Sequence, residues 1–204
     1  MNPPGSACRT PEYAVDRLFL DRWSPRSLVP DPIPDADLFA ILEAAGWAPS
    51  SYNNQPWRIL YARNGTPLWP LFFDLLDAGN KAWAKDAAVL LLFVSNAKFD
   101  RNGKPCLTHS FDCGAAWQNI ALEATMKGYA AHGMQGFDLA KARVVLEVPD
   151  DFQVEAMAAL GRQGPKAALP ENLREMESPS PRRPLAETVA EGKFSCNLLH
   201  AKKQ

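Results

Sequence analysis

The chain has 204 residues, of which 47% are hydrophobic, 22% charged and 10% aromatic. These fractions are typical of a globular protein and exclude the disordered, collagen-like and low-complexity classes. Lys and Arg number 22, and Asp and Glu number 23, so bulk charge predicts neither a nucleic-acid partner nor a membrane-surface partner. At this length we expect a single domain over residues 1–204, with 1–12 and 195–204 as flexible or partner-contacting tails.

Cysteine usage and the first residues predict a cytoplasmic chain with reduced thiols. The N-terminal residues have neither the basic start nor the apolar stretch of a secretory signal. The longest apolar run, residues 87–94, is too short to span a bilayer. Without a signal we expect free thiols rather than a disulfide framework. The cysteines are far apart in the sequence and form no C-x-x-C pair: Cys8, Cys106, Cys113 and Cys196.

Proline is over-represented, with 18 residues in the chain against a usual share of about 5%. Most of the excess falls into two clusters, at positions 25–34 and 165–184. Proline interrupts helices and central strands. The two clusters therefore predict ordered surface loops near opposite ends of the chain.

The first half of the chain alternates helical and strand patterns. Residues 35–48 carry apolar side chains at helical spacing, and residues 58–63 form a short apolar and aromatic run typical of a strand. The Asn64-Gly65-Thr66 sequence then predicts a turn. A helical stretch follows at 68–85, and we expect Gly79-Asn80 to interrupt it.

The second half predicts the central strand and the longest helix. Residues 87–94 are wholly apolar, which favours a strand buried on both faces. Residues 110–127 form the longest helical pattern, and Gly128 follows as a stop. Weaker patterns predict a strand at 129–135, a helix at 138–147 and a strand at 154–160. The order of elements predicts one α+β domain.

Several common catalytic signatures are missing from the sequence. It contains neither G-x-G-x-x-G nor G-x-x-x-x-G-K-[ST], and no H-E-x-x-H or Cys/His cluster that would predict a metal site. The histidines His109, His132 and His200 are scattered, which favours solvated or core positions over catalytic ones. Asp112-Cys113 does not form a nucleophile elbow, so a Cys/His hydrolase is disfavoured.

Residues 22–27, the arginine segment, stand out next to the first proline cluster. Arg22, Ser24, Arg26 and Ser27 alternate guanidinium and hydroxyl groups over six residues. Such groups can converge on one compact anion such as a phosphate. Taken alone, the pattern is more typical of a solvated polar loop.

Residues 48–57, the polar loop, stand out for the same reason. Six consecutive hydroxyl-bearing or polar residues lie between Pro49 and Pro56, and Trp57 follows. This composition can present several fixed donors and acceptors to a flat polar ring. The alternative is a simple connection between a helix and a strand.

Taken together, Arg22-Trp-Ser-Pro-Arg26 and Ser50-Ser-Tyr-Asn-Asn-Gln-Pro-Trp57 resemble the nitroreductase family of FMN-dependent oxidoreductases. The resemblance continues in the same order over most of the chain. Its weaker motifs are Asn80 before the apolar strand, Asp112-x-Gly-x-Ala-x-x-Asn119, Met134-Gln-Gly-Phe137, Ala159-Leu-Gly161 and Pro181-Arg-Arg-Pro-Leu-x-Glu187.

The resemblance implies a fold, a cofactor and an activity. The implied fold is a central, mainly antiparallel sheet flanked by helices, in an intertwined homodimer with two FMN sites at the interface. The implied activity is a ping-pong transfer of reducing equivalents from NADH or NADPH, through FMN, to an electron-poor acceptor such as a nitroaromatic, a quinone or an enone. No catalytic side chain and no metal are implied, because the flavin carries the chemistry.

The resemblance also implies which residues bind the cofactor. Those implied for the phosphate are Arg22, Ser24 and Arg182, with Arg183 as a second candidate. Arg26 would lie near the ribityl chain or pyrimidine edge, Asn80 would bond that edge, and the backbone amides of Gln135 and Gly136 would face N5. The residues implied to line the ring and ribityl chain, commonly from the partner subunit, are Pro49, Ser50, Ser51, Asn53 and Gln55.

Two positions depart from the family pattern. Trp83 stands where many members have a lysine, and Gln135 stands where many have an acidic residue. These changes bear on donor preference and flavin potential.

Two other functions stay open: a non-catalytic FMN-binding module for storage or sensing, and a flavin enzyme that works without NAD(P)H.

Overall fold

The computed structural model describes residues 4–194; the second tail expected at 195–204, with Cys196 and His200, lies outside these residues. Within them, five strands form one antiparallel sheet. The strands are β1 (Leu28–Val29), β2 (Trp57–Arg63), β3 (Val89–Asn96), β4 (Ala130–Met134) and β5 (Phe152–Gln163). The expected α+β class with an antiparallel sheet is confirmed.

The apolar run predicted as a central strand lies in the middle of the sheet. β3 pairs with β2 on one edge and β5 on the other, and its residues from Val89 to Ser95 are buried. β5 also pairs with β4 and β1. We expected β5 to end at Gly161, but it continues because Arg162 and Gln163 pair with β1. Glycine permits close backbone approach at position 161, where a β-carbon would lie only 3.3 Å from the Ala88 nitrogen.

Helices cover both faces of the sheet. The helices are α1 (Arg17–Asp21), α2 (Asp35–Ala44), α3 (Trp69–Phe73), α4 (Ala78–Ala84), α5 (His109–Met126), α6 (Leu139–Val145) and α7 (Glu171–Arg174). Apolar residues of α2 and α5 pack on the face that carries Leu91. Residues of α3, α4 and α6 pack on the opposite face, which carries Leu92. The predicted stop after α5 is confirmed, because Gly128 adopts a φ of 76°.

The helical stretch at 68–85 is interrupted earlier than expected. Gly79 and Asn80 lie inside α4, and the break falls between α3 and α4, at residues 74–77. The Asp77 side chain accepts a hydrogen bond of 2.7 Å from the Asn80 nitrogen and so caps the new helix. The predicted interruption at Gly79-Asn80 is therefore wrong, because a local cap outweighs the low helix propensity of glycine.

The proline clusters form loops, but one proline is not at the surface. Pro25 is fully buried, whereas Pro30, Pro32 and Pro34 are exposed. Pro25 differs because it lies in the arginine segment, which is covered by other parts of the chain.

Among the described residues, Cys8, Cys106 and Cys113 are free thiols, and no helix is long and apolar enough to cross a membrane.

Candidate functional site

The arginine segment leaves the end of α1, and its backbone is held by a buried carboxylate. Glu177 is only 3% exposed. Its carboxylate oxygens accept hydrogen bonds from the backbone nitrogens of Arg26, at 3.0 and 3.1 Å, and of Ser27, at 3.0 Å. These bonds satisfy the buried charge and fix the turn of the segment. Sequence reasoning missed Glu177, because nothing near it in sequence predicts a contact about 150 positions away.

Three arginines converge beside this segment. The Arg22 guanidinium donates to the Ser24 hydroxyl at 3.3 Å. Burial lowers the pKa of Arg22 below its ordinary value, and the charges of Arg182 and Arg9 lower it further. The pKa of Arg9 is lowered in the same way, first by burial and then by Arg182. The two predicted phosphate ligands Arg22 and Arg182 are thus brought together from opposite ends of the chain.

Arg9 is the third member of the cluster and was not predicted from the sequence. It donates to the carbonyl oxygens of Leu20 and Arg22, both at 2.8 Å, and to that of Ser180 at 3.0 Å. These bonds join the N-terminal arm, the end of α1 and the C-terminal segment. The residues around Arg9 have no periodic pattern, so its place in the site follows only from the tertiary structure.

The cluster of Arg9, Arg22 and Arg182 forms no ion pair with an acidic side chain of the described residues. In the part of the chain that the structure describes, no carboxylate lies within 4.0 Å of any of these guanidinium groups. Arg9, Arg182 and Arg183 also line a surface groove of about 880 Å³ together with Glu12, whose carboxylate accepts a hydrogen bond from the Leu185 backbone nitrogen. Because Arg9, Arg22 and Arg182 lie close together without a carboxylate at ion-pair distance, a bound anion would stabilise them.

His132 connects the arginine segment to the middle of β4. Its Nδ1 lies 3.0 Å from the Pro25 carbonyl oxygen, which can only accept, so Nδ1 carries the proton. Burial lowers the pKa of His132 to about 4, and the charges of Arg26 and Arg22 lower it as well. The ring also packs on Trp83, with centroids 4.6 Å apart. His132 is therefore neutral at pH 7 and fixes the backbone of the segment.

Asn80, which lies in α4 together with Trp83, contacts Gly136 just after β4. The Asn80 side chain donates to the Gly136 carbonyl oxygen at 2.9 Å. A β-carbon at position 136 would lie 2.1 Å from Asp77 Oδ2 and 2.7 Å from Asn80 Nδ2. Only glycine allows α4 to approach the end of β4 this closely. Gln135, next to this contact, is exposed.

The polar loop lies at the start of α5, and much of its backbone is strained. Tyr52, Asn53 and Gln55 have φ angles of 51°, 53° and 47°, which side-chain-bearing residues rarely adopt. The Ser51 nitrogen donates to Asp112 Oδ2 at 3.0 Å, and the Gln55 nitrogen donates to the Ser50 hydroxyl at 3.0 Å. Strain of this kind is concentrated at functional sites.

The structure assembles the predicted residues into two groups. Through Pro25, His132 and Trp83, the arginine segment is linked to the contact between Asn80 and Gly136. Over residues 4–194, no hydrogen bond or ion pair joins the polar loop to the arginine segment, to Asn80 or to Gly136. Within one chain, the predicted ligands of the polar loop are thus not bonded to the arginine segment, Asn80 or Gly136: Pro49, Ser50, Ser51, Asn53 and Gln55.

Comparison with known proteins gives the family. The nitroreductase family model matches residues 20–76 and 71–162. A solved oxidoreductase containing FMN is 47% identical, with 96% of this chain and 99% of that chain covered and a TM-score of 0.89. Protein DrgA of Synechocystis is 30% identical over 152 residues, or 59% of this chain and 70% of that protein. An NADH dehydrogenase of Thermus thermophilus is 28% identical over 174 residues, or 70% and 83%. Because the family model matches more than half of the chain and the solved oxidoreductase containing FMN shares its fold, the chain belongs to the nitroreductase family.

Proposed function

We propose that the protein is an FMN-dependent oxidoreductase that takes reducing equivalents from NADH or NADPH and passes them to an electron-poor small molecule. The observation that carries the proposal is the cluster of Arg9, Arg22 and Arg182, whose guanidinium groups form no ion pair in the described residues. A phosphate dianion matches several guanidinium forks in charge and geometry. The related oxidoreductase of solved structure contains FMN.

The remaining groups fit the other parts of FMN. Ser24 would add a hydroxyl donor to the phosphate, and Arg26 would lie toward the ribityl chain or pyrimidine edge. Asn80 would bond that edge, while the backbone at Gln135 and Gly136 would face N5. Bound FMN supplies the redox chemistry, and the protein supplies orientation and electrostatics. A cation such as Arg26 near the ring would stabilise negative charge there.

The polar loop would complete the site from a second copy of the chain. Its residues are not joined to the arginine segment within one chain, and large apolar side chains around it are exposed. Trp47 and Phe111 are each 81% exposed, and Leu107 is 93% exposed. Apolar groups of this size on one face are typical of an interface. We therefore infer a homodimer in which each polar loop lines the flavin of the partner.

The electron donor would occupy the pocket that the acceptor occupies afterwards. The sequence lacks the glycine fingerprint of a separate dinucleotide-binding unit, and a relative is named NADH dehydrogenase. Shared occupancy predicts ping-pong kinetics with nitroaromatic, quinone or enone acceptors. Initial rates over a grid of donor and acceptor concentrations should give parallel double-reciprocal lines. Intersecting lines would contradict a shared pocket, and flavin binding without turnover would indicate a storage or sensing module.

A further inference from the structure

We propose that Asp112 is a positioning residue, which holds the polar loop in the backbone geometry that lines the flavin. The inference rests on the proposed function, because the loop is assigned to flavin contact there. Asp112 is the fourth residue of α5 and is only 4% exposed, so its own carboxylate would act through the loop.

The contacts of Asp112 connect α5 to the loop. Its Oδ2 accepts a hydrogen bond from the Ser51 backbone nitrogen at 3.0 Å and a second from the Thr108 hydroxyl at 3.2 Å. Thr108 lies at the start of the same helix, whereas Ser51 is 61 positions away in the sequence. The bond to Ser51 is therefore the one by which this buried carboxylate fixes another segment.

The bond to Ser51 comes immediately before the strained part of the loop. Tyr52 and Asn53 follow with φ angles of 51° and 53°. Such a conformation persists only where the surrounding structure imposes it. The far side of the loop is held separately, since Asn54 bonds Lys98 and Asp100 through their backbone atoms at 3.2 and 3.0 Å. Without Asp112, the Ser51 end of the loop loses the hydrogen bond that holds it, and the strained residues Tyr52 and Asn53 can relax.

The start of α5 gives Asp112 a rigid base. A β-bulge in the ladder between β3 and β5 leaves Glu155 without a strand partner. Its carboxylate accepts from the hydroxyls of Ser95 and of Ser110, the latter at 2.7 Å. Because Ser95 donates to Glu155, the His109 Nδ1 at 2.7 Å from Ser95 is the donor in that pair. This network ties the first residues of α5 to the sheet.

Two roles for Asp112 make different predictions. A carboxylate in the first turn of a helix stabilises it through the helix dipole, and a glutamate would do the same. A positioning role instead needs an acceptor oxygen at one location. Asparagine keeps that oxygen in place without the charge, whereas glutamate moves it by the length of one methylene. The order of FMN affinities of the Asn and Glu variants therefore separates the two roles.

The experiment measures the Kd of FMN for apoprotein carrying Asp112→Asn, Asp112→Glu or Asp112→Ala. We expect Asp112→Asn to bind within about threefold of the wild type, and Asp112→Glu and Asp112→Ala to bind on the order of tenfold more weakly. Asp37→Ala is the matched control, because Asp37 bonds Lys127 and Tyr129 at the opposite end of α5. This variant should lower the melting temperature and leave FMN affinity unchanged.

Hydrogen exchange of the Ser51 amide, which donates to Asp112, gives a second readout in the absence of flavin. This amide should be protected in the wild type and Asp112→Asn and should exchange faster in Asp112→Glu. Wild-type exchange and affinity in Asp112→Glu, with losses in Asp112→Asn, would overturn the positioning role. A wild-type protein that fails to bind FMN would instead contradict the proposed function, and hydrogen exchange would still decide the role of Asp112. If Asp112→Ala does not fold, the pair of Asn and Glu variants is sufficient.

Discussion

Three arginines held close together repel one another, and a bound dianion would relieve that repulsion. Arg22 is the member that reaches both Ser24 and the charges of Arg9 and Arg182. We expect Arg22→Ala to weaken FMN binding by about 1.5–3 kcal/mol, the usual contribution of a charge-assisted hydrogen bond. A fluorescence titration of apoprotein with FMN measures the change.

Arg17→Ala is the matched control for Arg22→Ala, because it removes the same charge from the exposed Arg17–Asp21 pair. Its FMN affinity should equal that of the wild type. Equal affinities for the wild type and Arg22→Ala would show that the phosphate does not bind at the arginine cluster.

The buried imidazole of His132 predicts a pH dependence of stability. Its pKa falls from 6.5 to about 4 in the folded chain, so between these values the unfolded state binds a proton that the folded state does not. Stability is therefore lost as pH falls from 6.5 to 4, by about 3 kcal/mol in total. We expect the free energy of unfolding of His132→Phe, measured by urea titration at each pH, to change less over this pH range than that of the wild type. Identical pH slopes for the wild type and His132→Phe would contradict this assignment.

The contact between α4 and the end of β4 depends on a missing side chain. An alanine at position 136 would push a carbon against Asp77 and Asn80. Gly136→Ala should therefore lower the free energy of unfolding by about 1–3 kcal/mol and weaken FMN binding, because Asn80 is displaced. Gly46→Ala serves as the control for stability, since no atom beyond its chain neighbours lies within 4 Å of the added carbon. Our account of this contact fails if the two variants are equally stable and bind FMN equally.

The elements that the sequence predicts best are those with long, uninterrupted patterns. β3 and α5 were predicted to within two residues at each end, because burial of a whole apolar run or helix face is a local signal. The two-residue β1 has no such signal and forms only because it pairs with β5. The interruption of the stretch at 68–85 was misplaced, since a single Asp77 cap determines where α4 begins.

The sequence predicts only those residues of the site that belong to a family motif. Arg22 and Arg182 could be paired through the family resemblance, although they lie at opposite ends of the chain. Arg9 and Glu177 could not be found, because their roles consist of contacts to distant backbone atoms. Sequence patterns report which face of an element is buried, and they do not report which loops meet.

At the scale of the whole molecule, we predict that the exposed apolar side chains near the polar loop form the dimer interface. Phe111→Arg places a charge on this surface, so we expect a monomer by light scattering and a loss of FMN affinity. Val144→Arg is the control, because Val144 is also exposed, at 76%, but belongs to α6 on the opposite face of the sheet. A dimeric Phe111→Arg variant with unchanged FMN binding would place the interface elsewhere.

The proposed activity is tested most simply by the visible absorption of the protein after incubation with FMN and gel filtration. We predict a yellow protein with one FMN per chain, whose flavin absorption bleaches anaerobically on addition of NADH or NADPH and returns when a quinone or nitroaromatic is added. A colourless protein that retains no FMN, or a bound flavin that neither donor bleaches, would contradict the proposal.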